Sequence, residues 1–243
     1  MTSLTFVDKI ITTQDEIEDK FIIQKETKTP FSCVVLKDSD IKIAKAIKKT
    51  LKDWKDIAND RLGSSRELYS TDDPSKVTED RKTVDQYKEL LTNVSMYLDS
   101  FINQKQESTA RKILFLTKDT HIQAIGCVSL KEHLYVNILI SAPTNIRMYG
   151  KIQEQHKHVY GKGAGTALMY SIYKLTQKLE IPKIKLTPLE GSHSFYKDQI
   201  GMKEVQPTEG SKDKTSHFEL SVSSKVPEQL LKKSYGLVQD IDW

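Results

Sequence analysis

Three glycines in Tyr160-Gly161-Lys162-Gly163-Ala164-Gly165 stand just before a stretch with helical periodicity. Lacking Cβ atoms, they accept dihedrals that turn consecutive backbone N–H groups into one concavity, and anions bind there. The following helix adds its positive dipole end and unsatisfied N–H groups, so a phosphate or diphosphate is the natural ligand. Lys162 adds a mobile positive charge. Taken alone, the loop reads equally as a tight strand-to-helix turn that holds nothing. A dinucleotide fingerprint needs Gly-x-Gly-x-x-Gly and a later acidic residue, and here the third glycine comes one residue early. No Gly-Lys-Ser/Thr follows at the spacing of a P-loop.

Proton-transfer groups are harder to single out. Glu190 and His193 follow a predicted strand, and Glu154, His156 and His158 precede the glycines. A histidine has an unperturbed pKa suited to a base. Each of the five reads equally well as a solvated surface residue. His156 with His158 lacks a third ligand, so no metal site is expected.

The elements that must hold these groups follow from periodicity. Phe31 to Leu36 is a short, apolar, β-branched run, as a buried strand should be. Possible caps at Asp38, Ser39 and Asp40 precede Ile41, Ala44, Ile47, Leu51 and Trp54, spaced as one helical face. Residues 63–83 are polar and contain Gly63 and Pro74, which predicts a long inserted loop. Val84, Tyr87, Leu90, Leu91, Val94, Tyr97, Leu98 and Phe101 predict a second long helix over about 84–103.

The period then changes to two. Lys112 to Lys118, Ile122 to Leu130 and Leu134 to Ser141 read as an antiparallel meander. Ala164, Ala167, Leu168, Ile172, Leu175 and Leu179 give the helix after the glycines its apolar face, and Ile181-Pro182 ends it before a strand at Lys183 to Leu189. A short helix at Ser192 to Gln199 and strands at Lys203 to Gln206 and Thr215 to Val222 complete the pattern. Residues 1–30 read as an N-terminal arm and 223–243 as a charged C-terminal tail.

Two blocks within this order carry a resemblance. Gly163 and Gly165 followed by Thr166-Ala167-Leu168-Met169, and then Phe195-Tyr196-Lys197-Asp198-Gln199-Ile200-Gly201-Met202, resemble the GCN5-related N-acetyltransferase (GNAT) superfamily. That family's patterns are Arg/Gln-x-x-Gly-x-Gly/Ala opening a helix, and Phe-Tyr-x-x-x-Gly-Phe/Met. Tyr160 departs from the first by replacing Arg/Gln, and the second block here has one extra residue before its glycine. The resemblance covers roughly 31–222, and the order of predicted elements agrees with it.

The resemblance implies an α/β (α+β) fold: a mixed, mainly antiparallel sheet of six to seven strands, helices on both faces and splayed central strands. It implies acetyl-CoA as acyl donor, with its diphosphate on Tyr160, Gly161, Lys162, Gly163, Ala164, Gly165 and Thr166. Its pantetheine arm would lie along the backbone of Ile138, Leu139 and Ile140. Tyr196 would reprotonate the departing thiolate, with Glu190 or His193 as candidate bases. The function implied is N-acetyl (acyl) transfer to a primary amine of a small molecule or protein by direct attack. The alternative is a catalytically inactive coenzyme A-binding or protein-interaction module with this fold. Loop 142–160 and segment 63–83 are expected to rim the acceptor cleft.

Composition bounds these readings. With 243 residues, 37% hydrophobic and 29% charged, and no long apolar run, the chain suits one decorated domain without a membrane span. Met1 to Lys9 lack the features of a secretory signal, so a cytoplasmic protein is expected. Cys33 and Cys127 read as reduced core residues. A net charge of +4 spread along the chain argues against a nucleic-acid partner, including on Lys42 to Lys55, where acidic residues interrupt the lysines. Oligomeric state and acceptor have no readable signal.

Overall fold

The meander forms as its alternation requires. Strands β2 (Arg111–Lys118), β3 (His121–Leu130) and β4 (Leu134–Ser141) pair antiparallel in succession. The structure, a computed structural model, describes residues 31–37, 39–69, 74–103, 111–118, 121–143, 163–189, 191–206, 216–223, 225–230 and 238–242; at 61–69, 74–80 and 238–242 it describes backbone alone. The arm expected over 1–30 lies outside them.

Strand β1 (Phe31–Val35) runs antiparallel beside β2. On the other side of the meander lie β5 (Lys183–Leu186), β6 (Lys203–Val205) and β7 (His217–Ser221). With β8 (Val238–Asp242) the sheet has eight strands in the order β6-β7-β5-β4-β3-β2-β1-β8. Among the described residues only β4–β5 and β1–β8 are parallel pairs. The mixed, mainly antiparallel sheet implied by the resemblance is therefore present, with one strand beyond the expected six or seven.

That extra strand corrects the reading of 223–243 as an appended tail. β8 lies along β1 and satisfies an edge that would otherwise be open. Its sequence, Val238-Gln239-Asp240-Ile241-Asp242, carries too little apolar alternation to announce a strand. Upstream, the Ser223 N–H donates to the Tyr173 hydroxyl at 3.0 Å, and Leu230 is fully buried.

A second correction concerns 63–83. Helix α1 (Ile41–Tyr69) continues well past Trp54, and α2 (Pro74–Ile102) begins ten residues before the apolar stripe does. Pro74 is the first helical residue, where a missing N–H costs nothing. The stripe marks only the halves that reach the sheet, so a polar extension of both helices is invisible to it. The pair is antiparallel: Lys48 of α1 meets Asp99 of α2 at 2.5 Å.

Two cores flank the sheet. Leu114, Leu116, Ala124, Val128, Leu134 and Val136 face helix α3 (Ala164–Lys178), meeting Ala167, Leu168 and Ile172. Gly126 allows that approach, since a Cβ there would lie 3.4 Å from Leu168 and Ile172 side chains. On the other face Ile113, Phe115, Ile125, Cys127, Ile138 and Ile140 pack under α1 and α2. Cys33 and Cys127 are free and buried, and burial pushes both thiols up to about 12. Among the described residues no helix is long and apolar enough to cross a membrane.

Candidate functional site: a cleft between parting strands

Strand β4 carries one residue too many for its partner. Cys127 pairs with Ile138, yet Val128 pairs with Val136, so Asn137 is inserted as a β-bulge. A bulge bends its strand and increases local twist. The consequence appears on the opposite edge, where β4 and β5 pair only at Leu134–Ile184 and Tyr135–Lys185. Beyond that rung the strands part, leaving Ile138, Leu139 and Ile140 without a strand partner on the β5 side. The bulge also exchanges faces: Leu134 and Val136 pack towards α3, whereas Ile138 and Ile140 pack under α2.

Helix α3 begins beside the open end of this gap. Gly163 is its N-cap, with φ 92° and ψ 6°, a left-handed conformation natural to glycine. The Ala167 N–H donates to the Gly163 carbonyl at 2.9 Å as the first helical bond. The N–H groups of Ala164, Gly165 and Thr166 thus precede the helical ladder. No side chain caps them, and the first turn holds no acidic residue. A Cβ on Gly165 would lie 3.4 Å from the Phe195 ring and 3.5 Å from Ser141 Oγ. The helix start, the end of β4 and the Phe195 block therefore converge on one glycine. Three N–H groups outside the helical ladder, at the positive end of the helix dipole, could accept an anion.

The Phe195–Ile200 block is a π-helical turn closed by Gly201 at φ 82°. The wide turn absorbs the residue by which this block exceeds the family spacing. Met202 N–H reaches back to the Tyr196 carbonyl at 3.0 Å. Tyr196 is 8% exposed; its ring lies 5.0 Å from Phe195 and 6.2 Å from Phe218. Burial pushes its phenol up to about 12, so it stays protonated at neutral pH. Among the described residues its hydroxyl has no hydrogen-bond partner. His193 is exposed and stands edge-on to Phe218 at 5.4 Å.

Thus Ile138, Leu139, Ile140, Gly163, Ala164, Gly165, Thr166, Tyr196 and His193 have defined places. Tyr160, Gly161, Lys162, Glu190, Glu154, His156 and His158 lie outside the described residues. So does most of loop 142–160, one of the two segments expected to rim the cleft; the other, 63–83, is described as helix over 63–69 and 74–83.

Sequence reasoning missed Asn137, because apolar residues at 134, 136, 138 and 140 alternate without interruption. It also missed an ionic cluster next to the gap. Glu219 on β7 accepts from Lys185 at 2.8 Å, from Lys183 at 3.0 Å and meets His217 at 3.0 Å. The bond from Lys185, aided by His217 and Lys183, holds its carboxyl down at about 2. Alternating Lys183 and Lys185 on a predicted strand was the available signal.

No family model and no curated protein sequence matches the chain. Solved structures do. The chain is similar to the PaiA N-acetyltransferase of Thermoplasma acidophilum in complex with coenzyme A, at 15% identity over 70% of this chain and 94% of that one, with TM-score 0.36. It is similar to a GCN5-related N-acetyltransferase of Rhodopseudomonas palustris at 12% identity over 82% and 99%, TM-score 0.39. Similarity to Campylobacter jejuni PseH with acetyl coenzyme A is 14% over 53% and 79%, TM-score 0.33. The superpositions are loose, and the chain's own topology carries the assignment: strand, two helices, meander, glycine-led helix, diverging fifth strand, short turn and closing hairpin. The order of elements and the gap between β4 and β5 are those that the resemblance to the GCN5-related N-acetyltransferase superfamily implies.

Proposed function

We propose that the protein is an acyl-CoA-dependent N-acyltransferase acting on a primary amine, with acetyl-CoA as donor. The observation that carries this reading is the parting of β4 from β5 beside the uncapped start of α3. In it, the diphosphate rests on the N–H groups of Ala164, Gly165 and Thr166, with Tyr160, Gly161 and Lys162 completing the loop. Such a helix start contributes up to about 2 kcal/mol towards an anion in partly buried geometry. The pantetheine arm takes the place of the missing strand beside Ile138, Leu139 and Ile140, using backbone groups that β5 has left.

The reaction is direct. The neutral amine attacks the thioester carbonyl, and collapse of the tetrahedral species breaks the C–S bond. Tyr196 then donates its proton to the departing thiolate, a role supported by the phenol's burial and by its having no competing partner among the described residues. His193, exposed beside the end of β5, and Glu190 are the bases proposed for the amine.

The test is calorimetric titration with coenzyme A, followed by thiol release from acetyl-CoA with a panel of amines. Micromolar binding and amine-dependent release are expected. Absence of coenzyme A binding overturns the reading; binding without release on any amine overturns the catalytic half and leaves a binding module.

A further inference from the structure

The ionic cluster beside the cleft is larger than sheet pairing requires. Tyr135, Lys185, Glu219 and Lys203 stand opposite one another across β4, β5, β7 and β6. They share one face of the sheet, since Ile184 and Leu186 on the same strand as Lys185 pack towards α3. Among the described residues no side chain of β5, β6 or β7 joins the core beneath α1 and α2. A cross-strand ion pair needs one lysine per carboxylate. Here Lys183 and Lys185, two apart on one strand, both bond Glu219, and Lys203 stands opposite it on β6. The charges of Glu219 and Glu132, which also acts on Lys185, fall one short of those of Lys183, Lys185 and Lys203.

This surplus has a particular address. Tyr135–Lys185 is the last paired rung before the strands part, one position short of the Asn137 bulge. It is the closed end of the cleft. Tyr135 is 37% exposed there and supplies a flat wall next to the Lys185 ammonium.

We propose that the acceptor is a small amine carrying a carboxylate or phosphate, and that Lys185, with Lys183, holds that anion while the amine reaches into the gap. The proposal rests on the acyl-transfer reading above. A second cation at the closed end disfavours polyamines and other acceptors whose remaining charge is positive. Glu219 is a tether: it holds both lysines in place and competes with the incoming anion for them.

Product binding tests this without requiring turnover. Coenzyme A-loaded protein would be titrated by NMR with N-acetyl-β-alanine, N-acetylphosphoethanolamine, neutral N-acetylethanolamine and cationic N-acetylputrescine. One or both anionic compounds are expected to bind about ten-fold more tightly than the other two, as a charge-assisted contact implies. Which of the two binds better distinguishes carboxylate from phosphate. Lys185→Gln and the milder Lys183→Gln are expected to erase the preference with coenzyme A affinity intact. Glu219→Gln, which frees both lysines, is expected to strengthen it several-fold, a gain that a purely structural ion pair would not give. Equal binding of all four compounds, preference for the cation, no binding of any, or no response to Lys185→Gln and Lys183→Gln overturns the proposal. Failure of coenzyme A itself to bind is a separate result that removes the acyl-transfer reading beneath it.

Discussion

Replacing Tyr196 by Phe should separate activity from stability, lowering the first and leaving the second nearly unchanged. The ring keeps its neighbours, Phe195 at 5.0 Å and Phe218 at 6.2 Å, so packing is preserved. The hydroxyl has no hydrogen-bond partner among the described residues, although the side chain is only 8% exposed. Removing it therefore breaks no described bond, and because the hydroxyl is not a fully buried unpaired atom, stability should change by no more than about 0.5 kcal/mol. In a domain of this size that moves the melting temperature by no more than about 2 °C. Loss of the proton donor should lower kcat by about 10²- to 10⁴-fold and leave the affinity for acetyl-CoA unchanged. Calorimetric melting and single-turnover thiol release, run on the same preparations, read both effects. A variant that melts several degrees lower would show that the hydroxyl is bonded within the protein. A variant that turns over as fast as the parent would refute Tyr196 as the acid.

Three further outcomes follow from the geometry. Gly163→Ala places a Cβ on a residue at φ 92°, which should cost about 1–2 kcal/mol of stability and weaken coenzyme A in a titration. Glu219 has a folded pKa lowered to about 2, chiefly by its bond to Lys185, so its contribution is complete above the unfolded value near 4.5 and disappears as pH falls towards 2. Discounted for solvent screening, that is about 1–2 kcal/mol, and urea melts from pH 6 to 3 should show a smaller acid loss in Glu219→Gln. Cys33 and Cys127, buried with thiols pushed up to about 12, should resist iodoacetamide at pH 8 until denaturant is added. Alkylation at native conditions, counted by mass spectrometry, would contradict their place in the core.

How much of this was legible depended on whether burial left a pattern. Leu134–Ser141 declared itself in full because alternate residues meet a packed layer. Residues 63–69 and 74–83 did not, because helix formed beyond the reach of the sheet needs no apolar stripe. β8 escaped for a related reason: an edge strand is stabilised by backbone pairing to β1, and Asp240 and Asp242 do not oppose that. Within the site, Gly163, Gly165 and Tyr196 were visible as residue types in fixed spacing. Asn137 was not, since the insertion turns the strand over while both faces are covered, so the apolar rhythm never falters. The Lys185–Glu219 contact joins residues far apart in sequence and becomes visible only with the β5–β7 register.

The inserted asparagine ties the existence of the cleft to the integrity of the molecule. Deleting Asn137 would restore regular pairing between β3 and β4, and with it the continuation of β4 alongside β5. Straightening the strand with Asn137 retained would instead send Ile138 and Ile140 to the α3 side and take them from beneath the α1–α2 pair. A lineage drifting away from coenzyme A could lose Tyr196 or the glycines one at a time. It could not easily close the gap by substitution alone, because a regular strand of the same length would put Ile138 and Ile140 on the wrong face. An opening of this kind is inherited with the fold and outlasts any particular use made of it.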